Sequence, residues 1–146
     1  MREALNDFSR RFAEALFRAI PSLEPHGSVD SSPDVEPGAL IVELAPNPHD
    51  PNRTFYVSTD NGEVTVGFGK FFHQHFDWPR EYEDPIAFIR DLIAERMFVQ
   101  VTMRDGKWIR STTIDASEVD ALALPQAGEA VHIYSWSGDG DRFTEG

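Results

Sequence analysis

Apolar residues recur at spacings of three and four along the first twenty positions. Leu5, Phe8, Phe12, Leu16, Ala19 and Ile20 alternate there with charged groups. That period puts one apolar stripe along a helix and predicts an amphipathic helix over residues 2–20. Pro21 ends it by removing an amide donor. The segment from Pro21 to Gly38 contains four prolines, which predicts an irregular acidic loop over 21–38. Residues 39–45 (ALIVELA) read as a buried strand that stops at Pro46-Asn47-Pro48.

The period then changes to two. Asn61-Gly62 stands between runs rich in β-branched and aromatic residues, the signature of a hairpin closed by a type I′ turn. Counting outward pairs Thr59 with Val64, Val57 with Val66 and Phe55 with Phe68. One face then holds Phe55, Val57, Val64, Val66 and Phe68, and should meet the core. The other face holds Thr54, Tyr56, Ser58, Thr65, Gly67 and Gly69, which suits water or a partner's backbone. Asp84-Pro85 marks the start of a second helix, with an apolar stripe of Ile86, Ile89, Ile93 and Met97 widened by Phe88 and Leu92. On this reading Arg90, Asp91, Glu95 and Arg96 face water. Asp105-Gly106 closes a second hairpin in which Val99, Val101, Met103 and Trp108 share a face, together with Arg110. A last strand runs from Ala130 to Trp136, with Val131 and Ile133 facing one way and His132 and Tyr134 the other.

Together these elements predict an α+β fold. A mainly antiparallel sheet of about six strands is built from two hairpins, with an N-terminal helix and a central helix packed on it. The expectation is one globular domain spanning 1–146, with an acidic loop at 21–38 and an acidic, glycine-rich C-terminal tail at 137–146.

Charge changes the picture more than composition does. The net charge of -12 is confined to two blocks. Residues 24–51 carry six acids and no Lys or Arg, and residues 115–146 carry seven acids against Arg142 alone, so each contributes -6. The remaining blocks are nearly neutral. This distribution disfavours nucleic acid or an anionic membrane as partner and favours a basic one, drawn in by electrostatic steering. The longest apolar run is far too short to span a bilayer. The first helix is interrupted by charges at Arg2, Glu3, Asp7, Arg10, Arg11 and Glu14, unlike a signal peptide, so a cytoplasmic location is expected. The absence of cysteine excludes disulfides, thiolate metal sites and a cysteine nucleophile.

Candidate chemistry is sparse. His73 and His75, two apart, would project from the same face of a strand, and two imidazoles can share a metal ion. His73-Gln74-His75-Phe76-Asp77 partly resembles the HxHxDH motif of metallo-β-lactamase-fold hydrolases, but Trp78 stands where that motif has histidine. The expectation is therefore no bound metal and no cofactor, with a small metal-dependent hydrolase using His73, His75 and Asp77 as the alternative function. Glu81, Glu83 and Asp84 suit helix capping better than general acid chemistry. Asp139-Gly140-Asp141 lacks the later bidentate glutamate of a calcium loop. Tyr134, Trp136 and Phe143, interleaved with Asp139, Asp141 and Glu145, offer contact area and charge to a basic partner.

The stretches FYVSTDNGEVTVGFGKFFHQHFDW, FIRDLI leading to RDGKWIRST, and IYSWSGDGDR resemble small immunity proteins of bacterial polymorphic-toxin systems, including those paired with contact-dependent or type VI secreted toxins. The resemblance covers roughly the last two thirds of the chain and excludes residues 21–52. It implies binding to the catalytic domain of a cognate toxin and blocking of its active site, without catalytic residues, cofactor or turnover. The residues expected to meet such a partner are Asp34, Glu36, Asp50, Tyr56, Trp136, Asp139 and Asp141.

Overall fold

The computed structural model describes residues 1–80 and 84–146. Its first hairpin joins β3 (Phe55–Asp60) to β4 (Glu63–Phe68). Asn61 and Gly62 adopt φ of 49° and 77°, the two left-handed conformations that a two-residue hairpin turn needs. Phe55 pairs with Phe68, Val57 with Val66 and Thr59 with Val64, the register that the alternation predicts. The five apolar residues of that face are all buried. The sheet grows outward as a sequential antiparallel meander, β1-β2-β3-β4-β5, adding β1 (Gly27–Val29), β2 (Leu40–Leu44) and β5 (His73–Asp77).

A second antiparallel sheet has the order β7-β6-β8-β9. It contains β6 (Met97–Arg104), β7 (Lys107–Asp115), β8 (Glu129–Tyr134) and β9 (Arg142–Glu145). Asp105 and Gly106 close its hairpin with φ of 50° and 76°. A register shift between Thr102 and Met103 pairs Thr102 with Arg110 but Met103 with Trp108. Trp108 thus keeps the Val99, Val101 and Met103 face, while Arg110 moves to the opposite one, against the expectation from strict alternation.

Among the described residues the fold is α+β and antiparallel, with nine strands in two sheets rather than about six in one. The three strands beyond that count, β1, β5 and β9, are short edges, β5 being the stretch that carries His73 and His75. β1 lies in the predicted loop 21–38, behind a 3₁₀ turn at Pro21–His26. β9 lies in the predicted tail and is exposed at every residue. Neither β1 nor β9 has a fully buried residue, and at three and four residues both are too short to leave an alternation to detect. The first helix is also shorter than its stripe. A 3₁₀ turn at Arg2–Ala4 precedes α1 (Asp7–Ala19), whose start is fixed by the Asn6 side chain accepting from the Ser9 amide. Helix α2 (Pro85–Ile93) starts where expected, Asp84 Oδ1 accepting from the Ile86 amide at 2.9 Å. It stops before Met97, because Glu95 takes φ of 57° and turns the chain into β6. No helix among the described residues is long and apolar enough to cross a membrane.

The main core lies on the inner face of the first sheet. Phe12 and Leu16 of α1, Ile89 and Leu92 of α2, the hairpin's five apolar residues, and Val99 and Val101 of the second sheet form one continuous buried cluster. A smaller cluster of Ile114, Val119 and Ile133 sits on the far side of the second sheet, under a 3₁₀ turn at Ala116–Ala121.

One buried polar contact ties α1 to β2 and β3. Thr59 Oγ1 lies 2.6 Å from Ser9 Oγ and accepts the Leu40 amide at 2.8 Å, and both hydroxyl-bearing residues are buried. Thr59→Val keeps the shape but strands two polar groups. It should lower stability by about 1–3 kcal/mol, read as a shift in the urea midpoint at unchanged slope.

Candidate functional site

Two regions gather the residues expected to bind a partner, and they lie at opposite ends of β3. The six residues of β3 span roughly 20 Å.

At the N-terminal end of β3 the C-terminal segment is locked onto the first sheet. Arg53, its side chain 9% exposed, meets Asp141 through both terminal nitrogens: Nη2 to Oδ2 at 2.7 Å and Nη1 to Oδ1 at 3.2 Å. Nη1 also donates to the Ser135 carbonyl at 3.3 Å, and Nη2 lies 3.0 Å from Asp50 Oδ2. The guanidinium sits 4.9 Å above the Tyr134 ring, where a cation gains from the ring's negative face. Burial pushes the Tyr134 hydroxyl pKa up, against the pull of Arg53 and with the push of Asp141 and Asp50. Ser135 is buried and completes the lock: its amide donates to Asp141 Oδ1 at 2.8 Å, and its Oγ accepts the Gly138 and Gly140 amides. The Ser137 amide donates to Glu95 at 2.7 Å, so Glu95 is half-buried and bonded rather than facing water.

Trp136 packs edge-on to Phe55 and stacked with Phe68, at ring distances of 4.9 and 6.1 Å. Of the expected partner-binding set, Asp50 and Asp141 therefore pair with Arg53 and Trp136 packs against the core. Asp139 stays exposed.

At the other end of β3 the topology brings carboxylates together. Asp60 pairs with Glu63, and Glu63 with Asp77. The loop before β2 joins them, its Glu36 amide donating to Asp60 Oδ1 at 3.1 Å. Asn6 Nδ2 donates to Glu36 Oε1 at 3.2 Å, and Asp34, two residues back, is exposed. Cationic compensation is slight, with Arg80 3.9 Å from Asp77.

Between the two ends lies the sheet's outer face. Both helices pack on the other side, α1 against β2 and α2 against β4, and among the described residues no helix covers this one. Tyr56 lies directly over its pairing partner Gly67, where an added Cβ would come within 1.9 Å of Tyr56 Cε1. The space above Gly67 is thus filled by the protein's own ring, and burial raises the Tyr56 pKa. Tyr56 presents one side to the sheet and the other outward.

His73 and His75 are exposed on the edge strand β5, their rings 5.1 Å apart. His75 Nδ1 is engaged by Thr65 Oγ1 at 2.7 Å and Glu63 Oε1 at 2.9 Å. Among the described residues no three His, Cys, Asp or Glu side chains are grouped to hold a metal. Glu81 and Glu83 lie outside the described residues. Neighbouring Asp84 caps α2.

No family model matches the chain, and no curated protein or solved structure matches it significantly. Every role assigned above therefore rests on geometry. Arg53 is the residue sequence reading missed. A single arginine before a strand looks solvated, and of its two carboxylate partners Asp141 lies 88 positions away.

Removing the Asp141 carboxylate leaves a buried guanidinium with one carboxylate instead of two. Asp141→Ala should cost about 2–4 kcal/mol and release the 135–141 loop, seen as loss of hydrogen-exchange protection at the Gly138 and Gly140 amides. Gly67→Ala must displace the Tyr56 ring. It should cost about 1–3 kcal/mol and lower the Tyr56 pKa toward its ordinary value of about 10, followed by NMR titration. In a Tyr56→Ser background the cost should shrink, since the clash is gone.

Proposed function

We propose that the protein is a stoichiometric inhibitor of the immunity type, which holds the catalytic domain of a cognate bacterial toxin and blocks its active site. The observation that supports this reading is the placement of Asp34, Glu36, Asp60, Glu63 and Asp77 at one end of an outward-facing sheet. Two segments distant in sequence contribute to that end, and the exposed Glu43 and half-buried Tyr56 extend it across the face. A basic surface would meet complementary charge at the acidic end and an aromatic, partly apolar surface beside it. Where the toxin acts on nucleic acid, these carboxylates stand in for substrate phosphates.

The docking residues on this reading are Asp34, Glu36 and Tyr56, joined by Asp60 and Glu63. Asp50, Trp136 and Asp141 act indirectly, holding the C-terminal segment in place, and Asp139 remains at the opposite end.

Mixed at one-to-one with the toxin domain encoded beside it, the purified protein should abolish that domain's activity. The double variant Asp34→Lys, Glu63→Lys should slow association about tenfold or more at low salt, and less as salt rises. Undiminished toxin activity at molar excess of the inhibitor refutes the proposal.

A further inference from the structure

A cleft of ≈ 140 Å³ opens between the two sheets at the Arg53 end, away from the acidic face. Its apolar wall comprises Phe68, Phe71 and Tyr134, and its polar side carries Asp50, Arg53 and Lys70. A cavity of about 150 Å³ suffices to bind one benzene ring, so the apolar part suits a single ring or a branched aliphatic group. The rim is the turn after β4. It is pinned by the Phe68 amide donating to the Phe72 carbonyl at 3.1 Å and the Gly69 amide to the Thr54 carbonyl at 2.9 Å.

The charges on this rim decide what else a ligand must carry. Arg53 is largely engaged: the four hydrogens on its terminal nitrogens face Ser135, Asp141 and Asp50, which leaves only the Nε hydrogen of its five. One guanidinium thus serves two carboxylates, leaving one negative charge in excess. Asp50 is the natural holder of that excess. It reaches Arg53 through Oδ2 alone, and its side chain is 38% exposed against 31% for Asp141. Lys70 is the complementary group. Its ammonium lies 5.2 Å over the Phe71 ring, and among the described residues it takes part in no ion pair.

An apolar slot flanked by one unmatched ammonium and one half-matched carboxylate complements a zwitterion. A plain carboxylate would set its charge beside Asp50, and a plain amine would set its charge beside Lys70. Either leaves a rim charge unpaired in a partly desolvated site. We propose that this cleft binds a free α-amino acid with an apolar side chain of ring size. The carboxylate faces Lys70, the ammonium faces Asp50, and the side chain lies among Phe68, Phe71 and Tyr134. This site does not depend on the toxin-inhibitor reading.

Calorimetric titration of the full chain with L-phenylalanine, 3-phenylpropionate and phenethylamine tests the proposal. L-Phenylalanine should bind saturably, at least about tenfold more tightly than either analogue, and shift the NMR amide signals of Gly69 and Lys70. Lys70→Ala, at an exposed position where the fold is unaffected, should weaken L-phenylalanine about tenfold. The same variant should leave phenethylamine no weaker. Absence of saturable binding by about 10 mM, equal affinities for the three compounds, amide shifts confined to other regions, or an unchanged affinity in Lys70→Ala each overturn the proposal.

Discussion

The buried guanidinium of Arg53 is the polar contact that ties the two sheets together beside the apolar core they share. It stands just before β3, the central strand of the first sheet, and reaches Ser135 and Asp141, which flank the loop between β8 and β9 of the second. A charge so enclosed is tolerable only when its donors are met, and here two carboxylates, a carbonyl and an aromatic face meet them. The geometry this demands also sets Trp136 against Phe55 and Phe68. A polar contact thus fixes where part of the apolar core is placed.

This constraint divides the protein's acidic groups by role. Asp50 and Asp141 come from the two blocks that carry the negative charge, and both are directed at one internal cation. Glu95 binds the Ser137 amide. Glu129, itself buried, pairs with Arg104, whose hydrogen bond holds the carboxyl below its usual range. Charge that composition assigns wholly to the surface is partly structural. The carboxylates directed outward collect at the far end of β3, where strand pairing aligns Asp60, Glu63 and Asp77 and a loop adds Asp34 and Glu36.

The outer face of the first sheet shows how one residue can serve both the fold and a surface. Gly67 leaves a gap in β4 that Tyr56 fills with the flat of its ring, covering backbone that would otherwise meet water. The ring then presents its other side outward. The two histidines on the neighbouring edge strand belong to the same surface, and His75 is held there by Thr65 and Glu63.

Local pattern was enough for whatever depends on near neighbours in the chain. The Asn61-Gly62 turn set the hairpin register residue by residue, because a two-residue turn admits one pairing and alternation then assigns each face. Asp84-Pro85 likewise located the start of α2. The short edges β1 and β9 escaped, since three or four residues with none fully buried carry no periodic signal, and so did the bulge that turns Arg110 away from Trp108. The His73-Gln74-His75 spacing was legible, but whether a third ligand approaches it depends on other strands. The sequence by itself determined the hairpins, the helices' apolar stripes and the amount of charge. Only the tertiary structure decided which charges are directed at Arg53 and which face outward, because that choice rests on contacts between residues as far as 88 positions apart.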